Sequence, residues 1–370
     1  MKPIHIALVL GARPQIIKSA RLIKLASQDE QLVLSIIHTG QHYDYEMTKV
    51  FFEEFSLPEP SVNLGIGSAS HAQQTSKILS SLEPVLLAQK PDLVLVPGDT
   101  NSTLAAALTA AKLNIPVAHF EAGARSYDLK MPEEINRCLT DHCSTLLFTA
   151  TKNCSKNLIR EGIRSEHIYQ VGDTMYDVFL QQLPKVEQTQ IFNKLNLPKK
   201  YVLLTLHRQE NVDAPQTLHN IMSALFQLNE IEVVFPVHPR TYKQLCKWGL
   251  HEKVKEQRHI LTIKPVSYLE NIALLKNANL VLTDSGGIQK EAFWLRTPCI
   301  TLREKTEWVE TIQNGVNYLV GSETEKIVRK VREILNGNDK IRKRFKRLRN
   351  PFGTGKASQL IIDTIKQTSH

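Results

Sequence analysis

The sequence predicts an α/β protein made of two doubly wound domains, each built on a parallel sheet. Two observations carry this prediction. Short apolar runs rich in Val, Ile and Leu alternate with longer stretches of helical periodicity, the pattern of strands buried on both faces. The runs also fall into two series, separated by an interrupted stretch between Leu180 and Lys200. A chain of 370 residues has the length for two such domains.

The first series opens with His5–Leu10, which stops at Gly11-Ala12-Arg13-Pro14, and a proline there suits the first turn of a helix. It continues through Val33–His38, Leu93–Pro97, Val117–Phe120, Leu146–Phe148 and Ile168–Val171. Gln181-Gln182-Leu183-Pro184 and Pro198-Lys199-Lys200 then break the pattern and mark a linker. The second series holds Tyr201–Leu206, Val233–Val237, Ile260–Ile263, Leu280–Thr283 and Cys299–Leu302. Residues Glu323–Arg349 read as helix with a polar break at Asn336-Gly337-Asn338-Asp339. A closing helix, Lys356–Gln367, follows a hinge at Pro351–Gly355 and is expected to cross back onto the first domain. The predicted domains are residues 1–180 and 200–350, with 351–370 as hinge and crossing helix.

Composition removes several classes of function. With 42% hydrophobic and 22% charged residues, the chain can bury a core without disulfides or metal, and it is not disordered. Its five cysteines (Cys138, Cys143, Cys154, Cys246, Cys299) form no C-x-x-C pair, so reduced thiols in the cytoplasm are predicted rather than a disulfide framework or zinc. No apolar run approaches the roughly 18 residues of a membrane span, and no membrane partner is predicted. The net charge of +9 raises nucleic acid as a partner. Glu323–Arg349 alone holds eleven Lys/Arg against four Asp/Glu, a net of +7, so the excess is one local stretch. Phe345 is its only aromatic residue, which gives base stacking little support. A solvated helix face is expected there, with nucleic-acid binding as the non-enzymatic alternative. Gly65-Ile66-Gly67-Ser68-Ala69-Ser70 lacks the third glycine of a dinucleotide loop. Gly353-Thr354-Gly355-Lys356 is followed by Ala357 where a P-loop needs Ser or Thr. No cofactor is predicted.

Ligands of open α/β sheets bind beyond the carboxyl ends of the strands, and those ends are unusually rich in chemistry here. Arg13 ends the first strand, where it could clamp a phosphate bidentately or simply be solvated; Lys18 follows on the same helix. Asp99 and Glu121 end two consecutive strands. Glu133 and Glu134 follow Pro132 at a helix start, where acidic residues also serve the helix dipole, a reading favoured for Glu134 and evenly matched for Glu133. Carboxylates around one pocket repel, which raises a pKa and suits proton transfer. In the second half, His207 could act as base, phosphate donor or interdomain contact, and His238 reads as structural or ligand-binding. Asp284-Ser285-Gly286-Gly287 opens a helix straight after a strand, so its N–H groups and dipole could hold an anion, with Ser285 or Asp284 as the cap. Glu291 stands one turn on, placed to grip a ribose diol. His38 and His42 flank Gly40 in a loop, so no metal is predicted.

Together these segments resemble one family. Gly11-Ala12-Arg13-Pro14, Thr39-Gly40-Gln41-His42, Gly98-Asp99-Thr100 and His119-Phe120-Glu121-Ala122-Gly123 occur in its order, as does Pro132-Glu133-Glu134-Ile135-Asn136-Arg137. So do His207-Arg208-Gln209-Glu210-Asn211, His238-Pro239-Arg240, Thr283–Glu291 and Asn350-Pro351-Phe352-Gly353. The chain resembles the non-hydrolysing UDP-N-acetylglucosamine 2-epimerases, which have the two-domain GT-B fold of Rossmann-like domains facing a cleft. The resemblance implies Asp99, Glu121 and Glu133 as catalytic carboxylates and His207 as an essential histidine. It implies that Arg13, Ser285, Gly286, Gly287 and Glu291 hold UDP, with Lys18 and Arg137 in support. It further implies inversion at C2 through loss of UDP and its re-addition, a UDP-linked sugar as partner, and a homodimer.

Three departures bear on substrate and on activation. Gln15 stands where many members carry Glu, Glu307-Trp308-Val309-Glu310 replaces a frequent Glu-Arg-Pro-Glu, and Tyr43-Asp44 follow Gln41-His42 where several members have residues of an activating site. Gln15 and Trp308 also resemble relatives acting on UDP-2,3-diacetamido-2,3-dideoxyglucuronic acid, the alternative substrate. A hydrolysing 2-epimerase and a GT-B glycosyltransferase are the other enzymatic alternatives.

Overall fold

The computed structural model describes residues 2–41 and 51–368. The chain divides into two units, Met1–Gln181 with Pro351–His370, and Gln182–Asn350. The helix Thr174–Val186 runs through the stretch read as a linker, with Pro184 in its last turn.

The first unit is a seven-stranded sheet, wholly parallel: β1 (Ile4–Leu10), β2 (Leu32–His38), β3 (Val62–Asn63), β4 (Leu93–Pro97), β5 (Val117–Ala122), β6 (Leu146–Thr149) and β7 (Ile168–Gln170). Their spatial order is β3-β2-β1-β4-β5-β6-β7. The order reverses between β1 and β4, and at such a switch point the connections leave in opposite directions and open a crevice at the strand ends. Every residue of β4 is buried, as a central strand covered on both faces requires. Leu82 and Leu86 of the helix His71–Gln89, with Ala106, Ala107 and Ala110 of the helix Asn101–Lys112, pack on Val94, Val96 and Val117. The small alanines let the second helix lie close to the strands.

The second unit repeats the plan with β8 (Val202–Thr205), β9 (Val233–Pro236), β10 (Ile260–Ile263), β11 (Leu280–Thr283), β12 (Cys299–Thr301) and β13 (Asn317–Leu319). Here the order is β10-β9-β8-β11-β12-β13, parallel throughout, with the switch between β8 and β11. The basic stretch becomes two helices, Thr324–Asn336 and Asn338–Arg347, parted at Gly337. Ile327, Val328, Val331 and Ile334 form the buried stripe of the first, and its outward cations are partly paired, Arg332 with Glu230 at 2.7 Å and Lys330 with Glu333 at 2.6 Å.

The helix Ala357–Thr368 belongs to the first unit. It packs on the helix Arg13–Ser27, and Lys366 pairs with Asp29 at 2.7 Å. Its start is capped from afar: the Asp177 carboxylate accepts the N–H of Ala357 at 3.1 Å and of Ser358 at 2.6 Å. These are orphan helix donors on buried residues. Asp177→Ala is expected to cost about 1–2 kcal/mol, the value of a lost helix cap, read as a lower denaturant midpoint.

Candidate functional site

At the switch point of the first unit, the chain leaves β1 through Gly11-Ala12 into the helix Arg13–Ser27. Gln15 holds that turn. Its Oε1 accepts the N–H of Gly11 at 2.8 Å and of Ala12 at 3.0 Å, and its Nε2 donates to Pro97 O at 3.0 Å and Thr103 Oγ1 at 2.9 Å. All of its amide is consumed in tying β1 to β4, so this departure from the family pattern has a structural use. A carboxylate could not make the two donations. Gln15→Glu is therefore expected to lose about 1–3 kcal/mol of stability at neutral pH, the cost of leaving buried polar groups unpaired. The loss should shrink on acidification, because a carboxyl facing a carbonyl favours its protonated form; urea denaturation at two pH values checks both parts.

Arg13 is half-buried, its guanidinium carbon 4.3 Å from the centre of the Phe51 ring. One helical turn on, the Lys18 ammonium forms an ion pair with Glu121 Oε2. Glu121 lies at the end of β5 in the left-handed region, φ +72°, where the pairing of β5 with β6 slips register between Phe120 and Ala122. Such a bulge re-aims a side chain. Both groups crowd against Gly98, at the end of β4: a Cβ there would be 3.4 Å from Lys18 Nζ and 3.8 Å from Glu121 Oε2. Asp99 follows directly.

The helix Pro132–Cys143 faces Asp99 with two residues. Arg137 Nη2 lies 2.6 Å from Asp99 Oδ2, and Asn136 Nδ2 donates to Asp99 O at 2.9 Å. Arg137 also reaches Glu134 at 2.8 Å, and Glu134 accepts the N–H groups of Ser126 and Tyr127. Glu134 is thus a structural acid that fixes the preceding loop. Glu133 is half-buried in the first turn, one turn before Asn136 and Arg137 and on their side of the helix. The first unit therefore gathers Lys18, Asp99, Glu121 and Arg137 at adjoining strand ends.

In the second unit, Asp284 at the end of β11 is wholly buried and organises the turn after β8. It accepts the N–H of His207 at 3.1 Å and of Arg208 at 2.9 Å, and Asn211 Nδ2 donates to it at 3.2 Å. His207 Nδ1 is 3.2 Å from its other oxygen. Burial opposes the charge, yet His207 and these N–H groups hold the carboxyl below its ordinary value. Asp284 thus aims His207, and the cap of the helix Gly286–Leu295 falls to Ser285, whose Oγ accepts from Ile288 N. His238, its ring centre 5.6 Å from that of His207, caps its own helix by accepting the N–H of Arg240 at 3.2 Å.

Glycine is required at 286 because Trp308 and Glu307 close on the helix start: a Cβ would lie 3.1 Å from Trp308 Nε1 and nearer still to Glu307. Gly287 is open by comparison, with only Ser285 Oγ near it at 3.8 Å. Glu291 is buried one turn on. Trp308 is buried too, with the Lys290 ammonium 3.9 Å from its ring centre, so this departure also fills the interior beside the helix.

His42 and Tyr43-Asp44 lie outside the described residues. Among the described residues no cluster of His, Cys, Asp and Glu has the geometry to hold a metal, and no helix is long and apolar enough to cross a membrane. Sequence reasoning missed three supporting groups: Asp284 as the holder of His207, Gln15 as the clasp of β1, and the pair His119–Asp141 behind β5, 2.7 Å apart. Only His119 left a signal, a titratable residue inside the otherwise apolar run Val117–Phe120.

A profile of the UDP-N-acetylglucosamine 2-epimerase family matches residues 24–366. The chain is 50% identical over 364 residues to a Methanococcus maripaludis protein named UDP-N-acetylglucosamine 2-epimerase homolog, covering 98% of this chain and 99% of that one. It is 44% identical over 333 residues to the UDP-2,3-diacetamido-2,3-dideoxy-D-glucuronate 2-epimerase of Pseudomonas aeruginosa, covering 88% and 91%. The crystal structure of Methanocaldococcus jannaschii UDP-GlcNAc 2-epimerase in complex with UDP-GlcNAc and UDP superposes with a TM-score of 0.92 at 46% identity, over 98% of this chain and 100% of that one.

Proposed function

Because the chain belongs to the UDP-N-acetylglucosamine 2-epimerase family, we propose that it interconverts UDP-N-acetylglucosamine and UDP-N-acetylmannosamine without net hydrolysis. The observation that carries this reading is the placing of Asp99 and Glu121 on adjoining strand ends, each with its own cation, Arg137 and Lys18. Inversion at C2 needs one group to take a proton and another to return one to the opposite face. In the proposed reaction a carboxylate removes the C2 proton, the C1–O bond breaks with its electrons leaving on UDP, and a 2-acetamidoglucal forms. UDP then adds back to C1 as a proton is delivered to C2.

Asp99, Glu121 and Glu133 are the proposed acid and base groups, with His207 assisting from its Asp284 mount. Arg13, Ser285, Gly286, Gly287 and Glu291 are proposed to hold UDP, the helix start supplying N–H groups and dipole to the diphosphate. Lys18, Arg137 and His238 are proposed to support substrate, the first two by holding the carboxylates as well. A homodimer working in the cytoplasm is the proposed setting, its assembly to be read by light scattering.

Incubation with UDP-N-acetylglucosamine in deuterated water, followed by NMR, tests the reading. Deuterium at C2 with UDP-N-acetylmannosamine as product is expected. Free N-acetylmannosamine would identify a hydrolase instead. An inert substrate, with turnover of the UDP-diacetamido-uronate, would move the activity to the substrate named for the Pseudomonas relative.

A further inference from the structure

Behind Asp99 and Glu121 lies a chain of four titratable side chains that the proposed reaction does not use. His119, on β5 two residues before Glu121, is wholly buried. Its Nε2 is 2.7 Å from Gly98 O and its Nδ1 is 2.7 Å from Asp141 Oδ1. A carbonyl oxygen only accepts, so Nε2 carries a hydrogen. The other oxygen of Asp141 accepts the N–H of Gly123 at 3.1 Å and Arg125 Nη2 at 2.7 Å. Burial works against ionisation of Asp141, but His119 and Arg125 outweigh it and hold the carboxyl below its ordinary value. The ring is thereby held at both nitrogens, by Gly98 O on one side and by the Asp141 carboxyl on the other.

Arg125 in turn grips Glu161 with two parallel bonds, Nε to Oε1 at 2.8 Å and Nη2 to Oε2 at 2.7 Å. The chain His119, Asp141, Arg125, Glu161 thus alternates nitrogen-bearing and carboxyl side chains, each paired with the next. Stability alone gives little reason for such a chain, since well-packed apolar residues of similar volume are often no less stable.

Its attachment points give a reason. The N–H of Gly98 donates to Phe120 O at 3.0 Å, and its carbonyl is taken by His119, so both backbone groups of the residue before Asp99 are bound to β5. Asp141 takes the N–H of Gly123, two residues beyond Glu121. The tetrad thus grips the chain on the far side of both carboxylates.

We infer that His119 is a positioning residue: held between Asp141 and the Gly98 carbonyl, it locks the Gly98-Asp99 turn to the Glu121 strand and sets the spacing of the two carboxylates without touching the sugar nucleotide. The inference rests on the roles proposed above for Asp99 and Glu121.

Two variants and one spectrum test it. His119→Gln keeps a donor where Nε2 stands and so keeps the bond to Gly98; His119→Asn keeps a donor where Nδ1 stands and loses it. The Asn variant is expected to lose about 100-fold in kcat, the effect of a misplacement of about 1 Å, with KM and UDP affinity unchanged. The Gln variant should recover most of that loss even where its melting temperature falls as far. In wild-type protein labelled with nitrogen-15 at histidine, one ring should show a hydrogen on Nε2 that exchanges slowly with solvent, and the resonance should vanish in the variants that fold. Activity that follows melting temperature in both variants, or a His119 ring with no hydrogen on Nε2, overturns the inference; should neither variant fold, the spectrum decides. A wild type inert toward both UDP-sugars overturns the proposed function itself, whereas an active wild type whose His119 Nε2 carries no hydrogen overturns only the positioning role.

Discussion

Glu121→Gln is expected to lower kcat for epimerisation by about 100- to 10,000-fold, the usual worth of a positioned acid or base, while UDP binds as before. The amide matches the carboxyl in size and keeps an oxygen toward Lys18, but it cannot take up a proton. The backbone adds to the argument. A non-glycine residue at φ +72° sits in a region that costs about 1–2 kcal/mol, and such strain persists where the surrounding structure fixes it for a use. Here the slip of register beside Glu121 turns its carboxylate onto Lys18 and Gly98. A second variant separates strain from chemistry: Glu121→Gly should be equally inactive yet no less stable, because glycine adopts this conformation freely. Loss of C2 deuterium exchange, with UDP affinity retained by calorimetry, is the readout. An E121Q protein within tenfold of wild type would remove Glu121 from the mechanism.

The features legible in the sequence are those that leave a local trace. All eleven apolar runs fall on strands, because a strand buried on both faces must be apolar along its length, and that leaves a local trace. The two strands not foreseen, Val62–Asn63 and Asn317–Leu319, are short edge segments whose identity comes from pairing with β2 and β12 rather than from their own residues. The fold class was readable for the same reason: the alternation of runs and helices dictates parallel sheets, and two series dictate two of them. Charge pairing was not readable. Lys18 meets Glu121 and His207 meets Asp284 only because the sheet order brings distant strand ends together. Gln15 also has a use its local sequence does not show, since its four hydrogen bonds hold the β1 turn.

The largest expected loss of stability from a single methyl group is at Gly123. Its φ is +74°, and its missing side chain is used as space: a Cβ would lie 2.8 Å from the carbonyl carbon of Cys154, closer to that oxygen, and 2.9 Å from Leu158 Cγ. Cys154 sits inside the helix Lys152–Arg160, so its carbonyl cannot turn away without breaking the helix. Gly123 cannot retreat either. Its N–H is held by Asp141 at 3.1 Å, and its carbonyl accepts Asn157 Nδ2 at 2.9 Å from the same helix. Gly123→Ala therefore combines left-handed strain of about 1–2 kcal/mol with overpacking of about 1–3 kcal/mol. At roughly 2–4 °C per kcal/mol for a unit of this size, melting should fall by on the order of 5–15 °C. Gly65→Ala supplies the comparison, since Gly65 has a similar φ of +61° but nothing within 4 Å of its added Cβ. It should lose only the strain, so the difference between the two variants isolates the contact of β5 with the Lys152–Arg160 helix. Because that contact also seats the Gly123 N–H on Asp141, the G123A protein should lose activity well below its new melting temperature, while G65A should not. Equal melting temperatures for the two would show that the helix yields at Cys154, and that Gly123 is kept for its backbone conformation alone.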